Sequence, residues 1–133
     1  MDSSEERAKF RETSAQYAEV FDMGQALSSV GGDEQFLHEL AGIIRAAWPT
    51  LLADIRQGLE RRDFSAVAAK AHLAQVGAQS LSARRTYQSA RQLEAAVLKG
   101  DLPAAQSGFV NLEHEVDLLC FFLSALEDTE SPS

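Results

Sequence analysis

Three histidines, His38, His72 and His114, and one cysteine, Cys120, are the side chains of this 133-residue chain best suited to nucleophilic or metal chemistry. No two histidines have the four-residue spacing that puts two imidazoles on one helix face. The residues three before His38 and His114 are Gln35 and Asn111, so the Glu-x-x-His pairs of a bundle-core di-metal site are missing. His114 lies in EHE, but adjacent residues on a helix diverge and do not chelate. One thiol builds neither an internal disulfide nor a cysteine-rich zinc site, and within VDLLCFFLSAL it reads as a small buried residue. No glycine loop suited to cradling phosphates is present. Neither a metal nor a cofactor is expected.

His72 stands apart because of its surroundings, AKAHLAQVGAQSLSA. On an ideal wheel of ~100° per residue, Phe64, Val67, Ala71, Ala74, Ala78 and Leu81 gather on one side as a core face. His72 lies roughly 130° from the centre of that face and points outward. Ala68, Ala69, Leu73 and Val76 share its side, with Gln75 and Gln79 flanking. An outward face is normally charged, and a small apolar collar around one imidazole suggests a docking surface. An exposed histidine with no role would have the same spacing. Gly77 is unexplained by the wheel, because a glycine inside a helix costs about 1 kcal/mol relative to alanine. It hints at close packing against a neighbouring helix or at a local irregularity.

The elements that must position His72 read as helices throughout. Leucine, alanine, glutamate, glutamine and arginine dominate, with three prolines and eight glycines. A helix of weak periodicity covers roughly Glu5 to Glu19, and a short one Met23 to Ser29, ended by Gly31-Gly32. Asp33 is a good N-cap for a long helix over about Glu34 to Arg62. There Phe36, Leu37, Leu40, Ile43, Ile44 and further apolar residues to Leu59 recur at three- and four-residue spacing. Pro49 should kink that helix or split it at Trp48. Asp63 caps the His72 helix, to about Leu81; Ser82 starts another, about Ala83 to Lys99, ended by Gly100. Asp101 begins the last, to about Glu127. Links of a few residues force antiparallel neighbours, so the expected fold is all-α, an up-down helical bundle.

A net charge of −8 and a pI of about 4.8 argue against nucleic acid and against an anionic membrane surface, since Arg61-Arg62 is the longest basic run. The apolar stretch at 116–126 is too short to span a bilayer and contains Asp117 and Ser124. MDSSEERAKF is charged, without the apolar region of a signal peptide, so a cytoplasmic location is expected.

The register from Ala71 to Ala83 resembles the active helix of histidine-containing phosphotransfer (HPt) domains, approximately A-H-x-L-K-G-S-A-x-x-L-G-A. His72, Ala78, Leu81 and Ala83 match in position. The likeness runs upstream through GGDEQFLHELAGII and AAWPTLLADIRQGLERRD and downstream through ARQLEAAVLKGDLPAA, over roughly residues 20 to 127. It implies an antiparallel four-helix bundle at 20–127, one or two additional short N-terminal helices including an extension at 1–19, and a flexible tail at 128–133. It also implies a phosphorelay role, with His72 as phosphoryl acceptor from the aspartyl phosphate of a receiver domain. The protein would then be a phosphohistidine carrier, rather than an enzyme with its own turnover. Partners would be a response-regulator receiver domain, a hybrid histidine kinase or both, and the protein would be a monomer. Gln75, Val76, Gln79 and Arg91 would neighbour the phosphoryl group, while Ala68, Ala69, Leu73 and Val76 would dock the partner. Two positions depart from the pattern: Gln75 stands where the family has lysine, and Val76 where it has glycine. The following antiparallel helix would bring Gln88, Arg91 or Gln92 level with His72. A degenerate HPt-like module that docks a receiver or kinase without efficient transfer is the alternative, and a bundle that assembles with another subunit through its apolar faces is the third.

Overall fold

A computed structural model describes residues 17–130, with side chains described as far as Ser124. Every regular element among the described residues is a helix: α1 Met23–Ser29, α2 Glu34–Arg61, α3 Phe64–Ser80, α4 Arg84–Leu98 and α5 Leu102–Glu130. The helix expected over roughly Glu5 to Glu19 lies outside the described residues except for a turn at 17–20.

The links explain the bundle. Asp63 N–H bonds to Gly58 O at 2.8 Å and Arg62 N–H to Leu59 O at 3.2 Å, with Arg62 at φ 56°. The same pair of bonds ends α3 around Ser82 and α4 around Gly100, each at positive φ, and α1 at Gly31, where Gly32 also has positive φ. Each link therefore satisfies the last carbonyls of one helix and turns the chain at once into the next. Asp22, Asp33, Asp63 and Asp101 then accept a backbone N–H from the first turn of α1, α2, α3 and α5. α4 differs. Ser82 belongs to the ending of α3, and Ala83 occupies the N-cap without a side-chain bond. Ser82 does not start α4 as its residue type suggests, because the left-handed position that closes α3 falls on it.

These turns produce an antiparallel ring in which α2 packs on α3, α3 on α4, α4 on α5 and α5 back on α2. Leu37, Ile55, Leu81, Leu93, Leu112 and Leu119 fill its centre, none more than 1 % exposed. α3 contributes Val67, Ala71, Ala74 and Ala78, all fully buried, as the wheel predicts. Small residues there let neighbouring helices approach closely.

Two expectations for α2 are corrected. Pro49 does not divide it: one helix runs from Glu34 to Arg61. Pro49 itself faces solvent, while Trp48, Ile55 and Leu59 are buried on both sides of it. A loss of about 3 kcal/mol at an interior proline is outweighed when the segments before and after it share one core. The apolar stripe is also narrower than its spacing suggests. Phe36 and Ile43 are half or more exposed, and Ile43 becomes part of a surface groove.

Candidate functional site around His72

α3 holds His72 between the buried Ala71 and Ala74, which turn the imidazole away from the core. The His72 side chain is 64 % exposed. Leu73 and Val76 on the same helix are about half exposed. With Gly77 they form one wall of an open apolar groove of about 510 Å³, whose other wall is α2, notably Leu40, Ile43 and Leu51. Lys70 and Asp54 pair across the groove at 3.3 Å. Of the four apolar residues expected around His72, Leu73 and Val76 line this groove, which opens towards α2.

Gly77 faces the opposite wall. A Cβ on Gly77 would stand 3.4 Å from Ile44 Cγ2 and 3.7 Å from Trp48 Cζ2 and Cη2. α3 thus lies close to α2 here, but a methyl group would meet that wall at ordinary contact distance.

On its other side His72 meets α4. Its Nδ1 lies 3.6 Å from Glu94 Oε2. The other carboxylate oxygen, Oε1, accepts a hydrogen bond of 3.0 Å from Gln75 Nε2. Gln75 is only 8 % exposed. It does not flank the outer face as a polar residue is expected to; it lies between α3 and α4 with its amide on Glu94. Its place is set by Ala71 and Ala78, four residues before and three after it and both fully buried.

The remaining expected residues disperse. Ala69 is exposed, whereas Ala68 is half-buried and packs against the core. Gln79 is exposed but lines a separate hollow of about 260 Å³ with Asp22, Arg84 and Tyr87. Arg91, Gln88 and Gln92 are exposed on α4. The Gln75–Glu94 pair fixes the antiparallel register, and by it Arg91 is level with about Ala78, ~9 Å along the axis from His72. Glu94, not an arginine or glutamine, is the α4 residue that reaches the imidazole. The sequence carries one sign of it: Glu94 follows the buried Leu93 and sits four residues after the buried Ala90, at the border of the α4 core stripe.

Among the described residues no group of three or more His, Cys, Asp or Glu side chains converges as metal ligands would, and no helix is long and apolar enough to cross a membrane. No protein-family model matches the chain, and no curated protein does. One solved structure does: the HPt domain of an Hpt sensor hybrid histidine kinase from Shewanella superposes with a TM-score of 0.75 over 86 % of this chain and 98 % of that one, at 11 % identity. The chain has the fold of an HPt domain. In the HPt-like frame the ring α2–α5 is the four-helix bundle, α1 lies outside it, and His72 projects from the second helix of the bundle.

Proposed function

We propose that this protein is a phosphohistidine carrier of a two-component phosphorelay, with His72 taking a phosphoryl group from a receiver's aspartyl phosphate and passing it to another receiver. Residues 20–127 would carry this activity, as a monomer in the cytoplasm, with receiver domains or a hybrid histidine kinase as partners. The observation that carries the reading is the exposed imidazole of His72 beside the apolar groove, on an HPt-like bundle.

The chemistry asks little of the chain. Phosphoryl transfer is dominated by positioning and by neutralising charge on the phosphoryl oxygens, and the receiver brings its own metal ion for that. The carrier must offer a neutral, exposed imidazole in line with the phosphorus, and an imidazole is substantially neutral near pH 7. It must also hold the receiver while the in-line geometry lasts. Leu73 and Val76 on the groove wall supply apolar area for that, with Ile43 across from them.

One observation favours the second reading, a docking module without efficient transfer. The position that carries lysine in HPt domains is a buried glutamine here, and the charged group next to His72 is the carboxylate of Glu94. Mixing the protein with a receiver freshly phosphorylated by a small phosphodonor separates the two. The relay predicts acid-labile, base-stable label on this chain that disappears in His72→Ala. Tight receiver binding with no label would sink the relay and leave the docking module.

A further inference from the structure

We infer that the α2–α3 groove is a self-association face, on which a second copy of this chain sits about a two-fold axis running along the groove. The inference rests on the proposed function only for its consequence, that the copy and a receiver exclude each other. The association itself is measured without a receiver.

The chain carries a net charge of −8, yet the only charged side chains lining the groove are Asp54 and Lys70, 3.3 Å apart, and they cancel. The rest of the lining is mostly apolar, with Ile43, Leu73 and Val76 each half or more exposed. A contiguous exposed apolar patch marks a contact surface. A neutral patch on an acidic protein is also where a second copy approaches against the least repulsion.

The placing of the two charges selects a copy of the chain itself. α2 and α3 are antiparallel, and the Asp54–Lys70 pair fixes which residues stand level across the groove: Leu51 with Leu73, and Ala47 with Gly77. A two-fold axis along the groove keeps every level and exchanges the sides, so α2 of one copy faces α3 of the other. Asp54 then meets Lys70 of the second copy, and Lys70 meets its Asp54, which puts four charges of alternating sign at one end of the interface. Leu51 meets Leu73 in the same way, and both contacts are made twice. From Leu40 to Asp54 the groove is ~21 Å long, and two helices side by side are ~20 Å across, so each copy covers on the order of 400 Å². The total of about 800 Å² falls below the ~1,000 Å² of a stable interface, so the dimer is weak and forms only when the chain is concentrated. Leu73 and Val76 lie inside it, and the proposed docking of a receiver uses the same two residues. A chain paired with its copy is thus closed to a receiver, and transfer runs through the monomer.

Charge swaps test this geometry. Sedimentation equilibrium from about 10 µM to about 1 mM chain, the range a weak interface calls for, should show the wild-type mass rising from one chain towards two. Asp54→Lys leaves two cations at that end of each copy, and Lys70→Asp leaves two anions. Each variant alone should associate about 10-fold more weakly, because like charges then face each other. An equimolar mixture of the two should associate at least as tightly as wild type, and so should the chain that carries both substitutions. Both positions are partly exposed, and circular dichroism at 222 nm checks that the helices persist. A wild type that stays one chain throughout, single variants that associate like wild type, or a mixture that gains nothing over either variant overturns the inference. Receiver-dependent labelling per chain should fall several-fold as the wild type dimerises and stay level in Lys70→Asp; labelling indifferent to dimerisation overturns the exclusion. A dimer that obeys the charge swaps in a protein that no receiver labels leaves the interface standing and overturns the relay instead.

Discussion

Gly58 and Gly77 sit inside helices, α2 and α3, and the same substitution should have opposite effects at the two. Replacing a helix-interior glycine by alanine gains about 1 kcal/mol of propensity where the methyl fits. At Gly77 it fits. The nearest atom, Ile44 Cγ2, is 3.4 Å from the added Cβ, and Ile44 is half-buried at the edge of an open groove, so it can give by the few tenths of an ångström required. Gly77→Ala should stabilise by ~0.5–1 kcal/mol. At Gly58 it does not fit. The Cβ would stand 2.6 Å from Val67 Cγ2, about 1 Å inside ordinary contact. Val67 is fully buried and β-branched, with essentially one side-chain rotamer in a helix. Its backbone nitrogen and Asp63 O lie within 3.7 Å of the same point, so the start of α3 cannot simply retreat. Overpacking of this kind costs about 1–3 kcal/mol. Offset by the propensity gain, Gly58→Ala should destabilise by ~1 kcal/mol. Urea melts followed by circular dichroism at 222 nm should separate the two variants by about 1.5–2 kcal/mol, and thermal midpoints by about 5–10 °C in a chain of this size. A Gly58→Ala protein as stable as Gly77→Ala would refute the claim that the first glycine marks a steric limit and the second only a close surface.

Val76→Gly should preserve or raise the rate of receiver-dependent labelling by opening access to His72, at a stability cost of about 1 kcal/mol; a large loss of receiver affinity in titration calorimetry would show instead that the half-exposed Val76 is a docking contact. Gln75→Lys should lengthen the phosphohistidine lifetime less than twofold, because an ammonium at this buried position meets Glu94 first; a several-fold longer lifetime in a label-decay assay would show that the lysine reaches the phosphoryl group. Burial pushes the Cys120 thiol above its ordinary pKa, with the nearby Asp117 adding to the shift and Arg45 opposing it. The thiolate is therefore scarcer in the folded protein at any pH below that value, and alkylation at pH 8 should be slower than in urea-unfolded chain; equal rates would contradict the burial.

What was legible in the sequence was what local chemistry decides. Asp33, Asp63 and Asp101 announce helix starts because a cap is an interaction within four residues. The alanine stripe of α3 sets the direction of His72 because a wheel needs only the helix to exist. Local preference is overridden at two places: Pro49 does not split α2, because a core holds the helix on both sides of it, and Ser82 does not cap α4, because the turn needs a left-handed residue there. Gln75 and Glu94 were out of reach for a different reason. Each borders a core stripe, where burial depends on the neighbouring helix, and their meeting depends on a register that three linking residues do not fix.

The pair changes what the departure from the HPt pattern means. Three residues after the histidine, a side chain leaves α3 at the edge of the core. A lysine there has the length to carry its charge out towards a phosphoryl group. A glutamine is shorter and uncharged, and it finds a carboxylate on α4 instead. Compared with the HPt pattern, the site has an anion behind the imidazole and no lysine in front of it. An anion at Nδ1 favours the imidazole as nucleophile and the cationic ring of the transition state. The same anion repels the doubly charged phosphoryl group once it is bound, by an amount on the order of 1 kcal/mol per charge pair at these separations in water. In the proposed relay both effects would ease passage through His72, and neither would prolong residence on it. The absence of the lysine is on this argument a reason to expect a phosphoryl group that moves on quickly, and a weak reason to expect a histidine that never receives one.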